Sequence, residues 1–137
     1  MLQLWIKDKV PDRGHLAFDL PEVLASLGPD ALDWVWAVSD ADGGTLEAVG
    51  EGLPELEALA RTDGRVTGHR LVRIAGDVHQ TIWGEFRAYR DPRSAEPLVR
   101  VVAFDGSFFE VYSEDAALIE RVRSSFKDAV LNSPPIL

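Results

Sequence analysis

Residues 98–113 have the sequence LVRVVAFDGSFFEVYS, and this stretch largely determines the fold. Two apolar runs flank the pair Asp105-Gly106, which is among the strongest short-range signals for a β-hairpin. A two-residue turn at this pair places Val102 opposite Phe109. Both faces of the hairpin carry large apolar side chains, so we expect it to lie in the middle of a sheet with one face covered by a helix.

The segment after the hairpin predicts that covering helix. Leu118, Ile119, Val122 and Phe126 recur at the spacing of a single helical face. Ser113 is suited to cap the N-terminus of the helix. Acidic residues follow this cap and basic residues lie toward the other end, as the helix dipole favours.

Weaker patterns predict the remaining elements. Short apolar stripes between capping and breaking residues predict helices at residues 20–27 and 54–61. Apolar alternation predicts strands at residues 2–6, 32–39, 45–49, 67–75 and 78–89. The strand at 45–49 is expected to pair with the one at 32–39. A hairpin loop at Gly76-Asp77 would set Arg70 opposite Trp83.

The order of these elements is that of an α+β fold and not of a parallel βαβ sheet. We predict a mainly antiparallel, twisted sheet built from hairpins and covered on one face by the C-terminal helix and the short helices. The chain has 137 residues, which fits a single domain over residues 1–137. Residues 132–137, which contain two prolines, are expected to form a frayed tail.

Composition excludes several classes of protein. There is no cysteine, which excludes a disulfide framework, a thiolate zinc site and a cysteine nucleophile. The first residues lack the features of a signal peptide, and no apolar run approaches the length of a membrane helix. We therefore predict a cytoplasmic protein with no membrane partner.

The charge distribution points to a basic partner. The net charge is −9, which disfavours nucleic acid because its phosphates would be repelled. Residues 40–64 are strongly acidic, whereas residues 65–100 are basic. Either the two segments neutralise each other within the fold, or the first forms an acidic patch that docks a basic protein. The candidate contact residues of such a patch are Asp40, Asp42, Glu47 and Glu51.

No motif for catalysis or for a cofactor is found. The three histidines are far apart in sequence, and no glycine-rich phosphate loop or serine nucleophile motif occurs. We therefore predict no metal and no cofactor, and we favour a protein that is not an enzyme. Glu110 is the carboxylate of most interest, because apolar residues flank it on its strand and a buried carboxylate can act as a general acid or base.

A small set of aromatic and charged residues marks a second candidate surface. A pocket on the sheet face, or a recognition surface, would be lined by Trp34, Trp36, Arg70, Trp83 and Glu110. Tryptophan and arginine are enriched at the sites that dominate binding energy.

Three functions remain open on the sequence alone. The first is a non-enzymatic protein-binding module, such as an immunity or antitoxin-like protein that masks a basic partner. The second is a small-molecule-binding protein or enzyme with a pocket on the aromatic-rich sheet face. The third is a structural homo-oligomeric protein, with a homodimer as its simplest form.

Overall fold

The computed structural model describes residues 1–10, 16–62 and 64–132. Its strands are β1 (Leu2–Ile6), β2 (Val35–Ser39), β3 (Glu47–Gly50), β4 (Val66–Thr67), β5 (Val78–Tyr89), β6 (Val99–Phe104), β7 (Phe108–Ser113) and β8 (Ala129–Leu131). Its α-helices are α1 (Leu20–Ser26), α2 (Leu53–Thr62), α3 (Gly68–Ala75) and α4 (Ala116–Ser124), and Pro29–Leu32 forms a 3₁₀ helix.

The strands form one antiparallel sheet in the order β4-β2-β5-β6-β7-β1-β8, and β3 pairs with the first half of β5. Helix α4 packs on β1 and β7, helix α2 on β2 and β3, and helix α3 on β2, while α1 lies between α3 and α4. The helices thus cover one face of the sheet. This arrangement confirms the predicted α+β class and its mainly antiparallel sheet.

The hairpin at residues 99–113 is present, but its register is shifted by one residue from the prediction. Asp105 and Gly106 both have positive φ, 54° and 67°, as a tight hairpin turn requires. The amide of Ser107 donates to the carbonyl of Phe104 at 2.9 Å. Ser107 nevertheless stays outside the ladder, and Phe104 pairs with Phe108. The loop therefore has three residues, which moves every pair of the hairpin by one position.

This shift decides which way Glu110 points. Glu110 lies opposite Val102 on one side and Trp5 on the other. Its neighbours Phe109 and Val111 are fully buried under the helices. Because side chains alternate along a strand, Glu110 projects from the opposite, uncovered face.

The segment predicted as a strand at residues 67–75 is a helix, so that prediction is wrong. Thr67 caps α3, and its hydroxyl accepts a hydrogen bond from the amide of Arg70 at 3.2 Å. Leu71 and Ile74, spaced by one helical turn, are buried against the other helices and β2. The predicted hairpin at residues 76–77 is instead the connection from this helix to β5.

Two other pairings differ from the predictions. Strand β3 pairs with β5 and not with β2, whose neighbours are β4 and β5. Strand β8, which the sequence pattern did not predict, pairs with β1. The amide of Asn132 continues this pairing by donating to the carbonyl of Gln3 at 2.7 Å, so the first residue of the expected tail is bonded to the sheet. The rest of that tail, residues 133–137, lies outside the described residues.

The predicted C-terminal helix is present, but it has a different cap and ends at Ser124, before Phe126. Asp115 caps α4, since its carboxylate accepts hydrogen bonds from the amides of Ala117 and Leu118. Ser113, the expected cap, is buried and donates to the carbonyl of Leu98 at 2.8 Å. None of the helices in the described ranges has the length and apolar character needed to cross a membrane.

Candidate functional site

The sheet face opposite the helices, called the open face below, carries a row of aromatic side chains. Trp83 on β5 packs against Phe104 at 4.9 Å between ring centroids, and Phe104 stacks on Phe108 at 4.8 Å. Phe108 lies 5.7 Å from Trp5, and the ammonium of Lys7 sits 4.8 Å from the Trp5 ring centroid. We call Trp83, Phe104, Phe108 and Trp5 the aromatic row. It crosses four neighbouring strands.

Beside the aromatic row, Glu85 is held between two arginines. Its carboxylate lies 2.6 Å from the guanidinium of Arg100 and 3.5 Å from that of Arg87. The Glu85 side chain is 12% exposed, so this ion pair is largely withdrawn from water. Arg100 also lies over the ring of Tyr112, with 4.8 Å between the guanidinium carbon and the ring centroid. Arg100 is thus fixed by both charge and packing, whereas Arg87 is held by the longer ion pair.

Glu110 takes part in a separate network of neutral donors. Its carboxylate accepts hydrogen bonds from the side-chain amide of Gln3 and, at 2.5 Å, from the phenol of Tyr112. Burial, and then the hydrogen bond to Glu110, raise the pKa of Tyr112 above its ordinary value, so this phenol stays protonated and donating. Among the described residues, no basic side chain lies within 4.0 Å of Glu110.

The structure does not bring the five predicted pocket residues together. Trp83 and Glu110 lie on the open face. Trp36 is 1% exposed under the helices, where its indole N–H donates to the carbonyl of Ala31 at 3.1 Å. The ring of Trp34 is 6.5 Å from that of Trp36.

Arg70 is also separated from its predicted neighbour. It belongs to helix α3, where its guanidinium lies 3.9 Å from the carboxylate of Glu55. The predicted stacking of Arg70 on Trp83 assumed a strand at this position and is therefore wrong. Trp83 instead packs against Phe104 and against the backbone of Gly44, where a β-carbon would overlap the indole.

The four predicted acidic contact residues are exposed at one end of the sheet. Asp40 and Asp42 lie in the turn after β2, and Glu47 and Glu51 lie on and just after β3. In the described part of the chain none of the four has a basic group within 4.0 Å. Asp42 nevertheless attracts the guanidinium of Arg100 from a longer distance. We call these four residues the acidic edge.

A groove of about 570 Å³ separates the acidic edge from helix α2. Its walls and floor are formed by Ser39, Asp40, Thr45, Leu46, Glu57, Ala60 and Arg61. Asp40 is held in place, because its carboxylate accepts a hydrogen bond from the amide of Leu46 at 2.7 Å. The groove thus combines two carboxylates and the guanidinium of Arg61 with a partly apolar floor, and its lining is net negative, which suits a long basic side chain.

A cleft of about 260 Å³ near the start of β5 contains a partly buried carboxylate. Asp19 accepts hydrogen bonds from the amide of Thr81 at 2.9 Å and from its hydroxyl at 2.8 Å. Burial raises the pKa of the Asp19 carboxyl, and the bonds from Thr81 oppose that rise. His79 lines the same cleft. These contacts tie the start of α1 to the sheet.

Replacing Thr81 with Val should cost about 1–2 kcal/mol of stability near pH 7, because the ionised carboxylate loses a donor in a buried position. The change raises the pKa of folded Asp19 further. The cost is therefore full above that pKa and shrinks as the pH falls through it and the carboxyl becomes neutral. Urea unfolding of Thr81→Val and of the wild type at about pH 7 and about pH 4 measures this difference in stability and its change with pH. The exposed control Thr45→Val should change stability equally at both pH values, and the same pattern for Thr81→Val would contradict the prediction.

Sequence reasoning identified the acidic edge but missed most of the aromatic row. Phe104, Phe108 and Trp5 were not expected to form one surface, because the predicted hairpin register does not place the two phenylalanines opposite each other. The two phenylalanines face each other only because the loop at 105–107 has three residues, and the sequence pattern predicted two. No group of three metal-binding side chains occurs among the described residues.

Comparison of the chain with protein-family models, with curated proteins and with solved structures finds no match.

Proposed function

We propose that this protein acts by binding a basic protein at its acidic edge, in the manner of an immunity or antitoxin protein that masks its partner, and that it converts no substrate. One observation carries the proposal: Asp40, Asp42, Glu47 and Glu51 are exposed, and none of them lies within 4.0 Å of a basic group among the described residues. Of the acidic residues described between 40 and 57, only Glu55 lies in an ion pair. This favours the acidic patch over mutual neutralisation with residues 65–100.

The shape of the site supports the same partner. An arginine or lysine of the partner that enters the groove beside α2 meets Asp40 and Glu57, whose two charges outweigh that of Arg61 on the same wall, while its methylenes cover Leu46 and Ala60. The net charge of −9 adds long-range attraction for a basic protein. A cytoplasmic setting is part of the proposal and agrees with a chain that has no cysteine.

Reversing the charge of the acidic edge should abolish most of this attraction. The variant in which Asp40, Asp42, Glu47 and Glu51 are all replaced by Lys is expected to bind the partner at least about tenfold more weakly at low salt, mainly through slower association. The partner is first recovered from lysate with the tagged wild-type chain and purified. Association and dissociation rates are then measured by surface plasmon resonance at several salt concentrations.

The matched control changes the same number of charges elsewhere. Replacing the exposed residues Asp30, Asp33, Glu96 and Glu114 by Lys alters the net charge equally and leaves the acidic edge intact. Equal losses of affinity in both variants would show that net charge alone explains the effect. Undiminished binding by the acidic-edge variant would refute the proposed site. Purified wild-type chain that captures no stoichiometric protein would refute the function itself.

A further inference from the structure

The open face is electrically balanced, although the chain as a whole is acidic. It carries four acidic and four basic side chains, namely Asp42, Glu47, Glu85, Glu110, Lys7, Arg65, Arg87 and Arg100. A strongly basic partner therefore gains little electrostatic attraction from binding to this face. A second, equally neutral face meets no net repulsion there.

The open face also has the composition of an interface. Trp, Tyr, Phe and Arg are enriched at protein interfaces, and all four occur here side by side. Phe104, near the centre of the aromatic row, is 36% exposed. From the balance of charge and the aromatic row, we infer that the open face pairs with the open face of a second copy to form a symmetric dimer, with the two-fold axis parallel to the strands and between β6 and β7.

Charge decides where this axis lies. An axis on β6 would set Arg100 against Arg100 of the second copy, and an axis on β7 would do the same with Glu110. An axis between the two strands avoids both contacts. It exchanges the positions of paired residues, so Arg100 comes over Tyr112 of the second copy and Phe104 over Phe108.

The next pair of strands fits the same axis. Strand β5 of one copy then faces β1 of the other. Glu85 comes over Trp5 of the second copy, and Arg87 comes over Gln3. No two like charges face each other in these pairs. Two sheets that pack face to face lie about 10 Å apart, which leaves room for these side chains to interdigitate.

The inference predicts a specific pattern of loss and rescue at the centre of the dimer. Sedimentation velocity from about 1 µM to about 300 µM chain should show the wild type passing from monomer to dimer. Phe104→Asp and Phe108→Arg should each remain monomeric, with dimerisation weakened about 100-fold or more. An equimolar mixture of the two variants should dimerise again, because the carboxylate introduced in one copy then meets the guanidinium introduced in the other.

The rescue separates a lost contact from a lost fold, since an unfolded variant cannot form the mixed dimer. Val72→Asp, at a residue of α3 that is 37% exposed, is the matched control and should dimerise like the wild type. A wild type that stays monomeric throughout, or a mixture that is no more associated than its components, would overturn the inference. The inference does not rest on the proposed function, because Phe104→Asp and Phe108→Arg leave all four residues of the acidic edge unchanged.

Discussion

Replacing Gly68 with Ala should destabilise the protein by about 3 kcal/mol, at the upper end of the cost of overpacking a core. A β-carbon on Gly68 would collide with the carbonyl oxygen of Ala31 and lie 2.8 Å from the Cα of Leu32. Both obstacles are backbone atoms of the 3₁₀ helix, so no side-chain rotation relieves the clash. The amide of Gly68 also donates to the carbonyl of Trp34 at 2.9 Å, which fixes the start of α3 against that segment.

Chemical denaturation measures the effect, with Gly76→Ala as the control. Gly76 follows the same helix with φ −63°, and a β-carbon there finds its nearest neighbour at 3.3 Å. Gly76→Ala should be neutral or stabilising by up to about 1 kcal/mol. The melting temperature of Gly68→Ala should fall by about 10 °C. If Gly68→Ala and Gly76→Ala unfold at the same denaturant concentration, α3 does not lie against the 3₁₀ helix as described.

Helix α3 also shows where sequence patterns reach their limit. Its apolar residues Leu71, Val72, Ile74 and Ala75 fit a short strand as well as one face of a helix, because eight residues are too few to separate the two periods. Thr67 was the local sign of a helix N-terminus. The close approach of Gly68 to the 3₁₀ helix is a tertiary contact, and no pattern within the segment reveals it.

The two proposed surfaces differ in the same way. The acidic edge was predictable because its residues are charged, lie close together in sequence and surround a turn, which keeps them exposed. The aromatic row joins residues as distant as Trp5 and Phe108 across four strands. Its existence depends on strand order and on the register set at Ser107, and a shift of one residue is enough to separate its members.

The faces of β2 were predicted only in part. Alternation correctly placed Trp36 and Val38 on one face, and both are buried. It did not indicate which face the helices cover, because Val35 and Ala37 on the other face are apolar too. Trp36 was therefore assigned to a binding surface, whereas the structure places it inside the core.

Replacing Trp36 with Ala should accordingly produce the largest loss of stability, about 3–5 kcal/mol. The change empties the space of a fully buried indole and leaves the carbonyl of Ala31 without its donor. Trp36→Phe retains most of the ring and should cost about 1–2 kcal/mol, mainly for the lost hydrogen bond. Urea unfolding should rank the three proteins by stability, with the wild type highest, Trp36→Phe next and Trp36→Ala lowest.

The cavity left by Trp36→Ala should also accept the missing ring. Trp36 lines an apolar groove of about 240 Å³ between α1, the 3₁₀ helix and α3, which gives a small molecule a route to the space. Apolar cavities in protein cores bind aromatic molecules of matching size. Free indole at about ten times its dissociation constant should restore about 1.4 kcal/mol to Trp36→Ala and nothing to the wild type.

A comparison with indene distinguishes the stability gained by filling the cavity from the stability gained by the hydrogen bond. Indene has the shape of indole without the N–H, so it should stabilise Trp36→Ala less than indole does, by up to the value of one hydrogen bond to Ala31. Equal rescue by both molecules would assign the whole effect to packing. A variant as stable as the wild type would show that Trp36 is not a core residue and would return it to the set of surface residues available for binding.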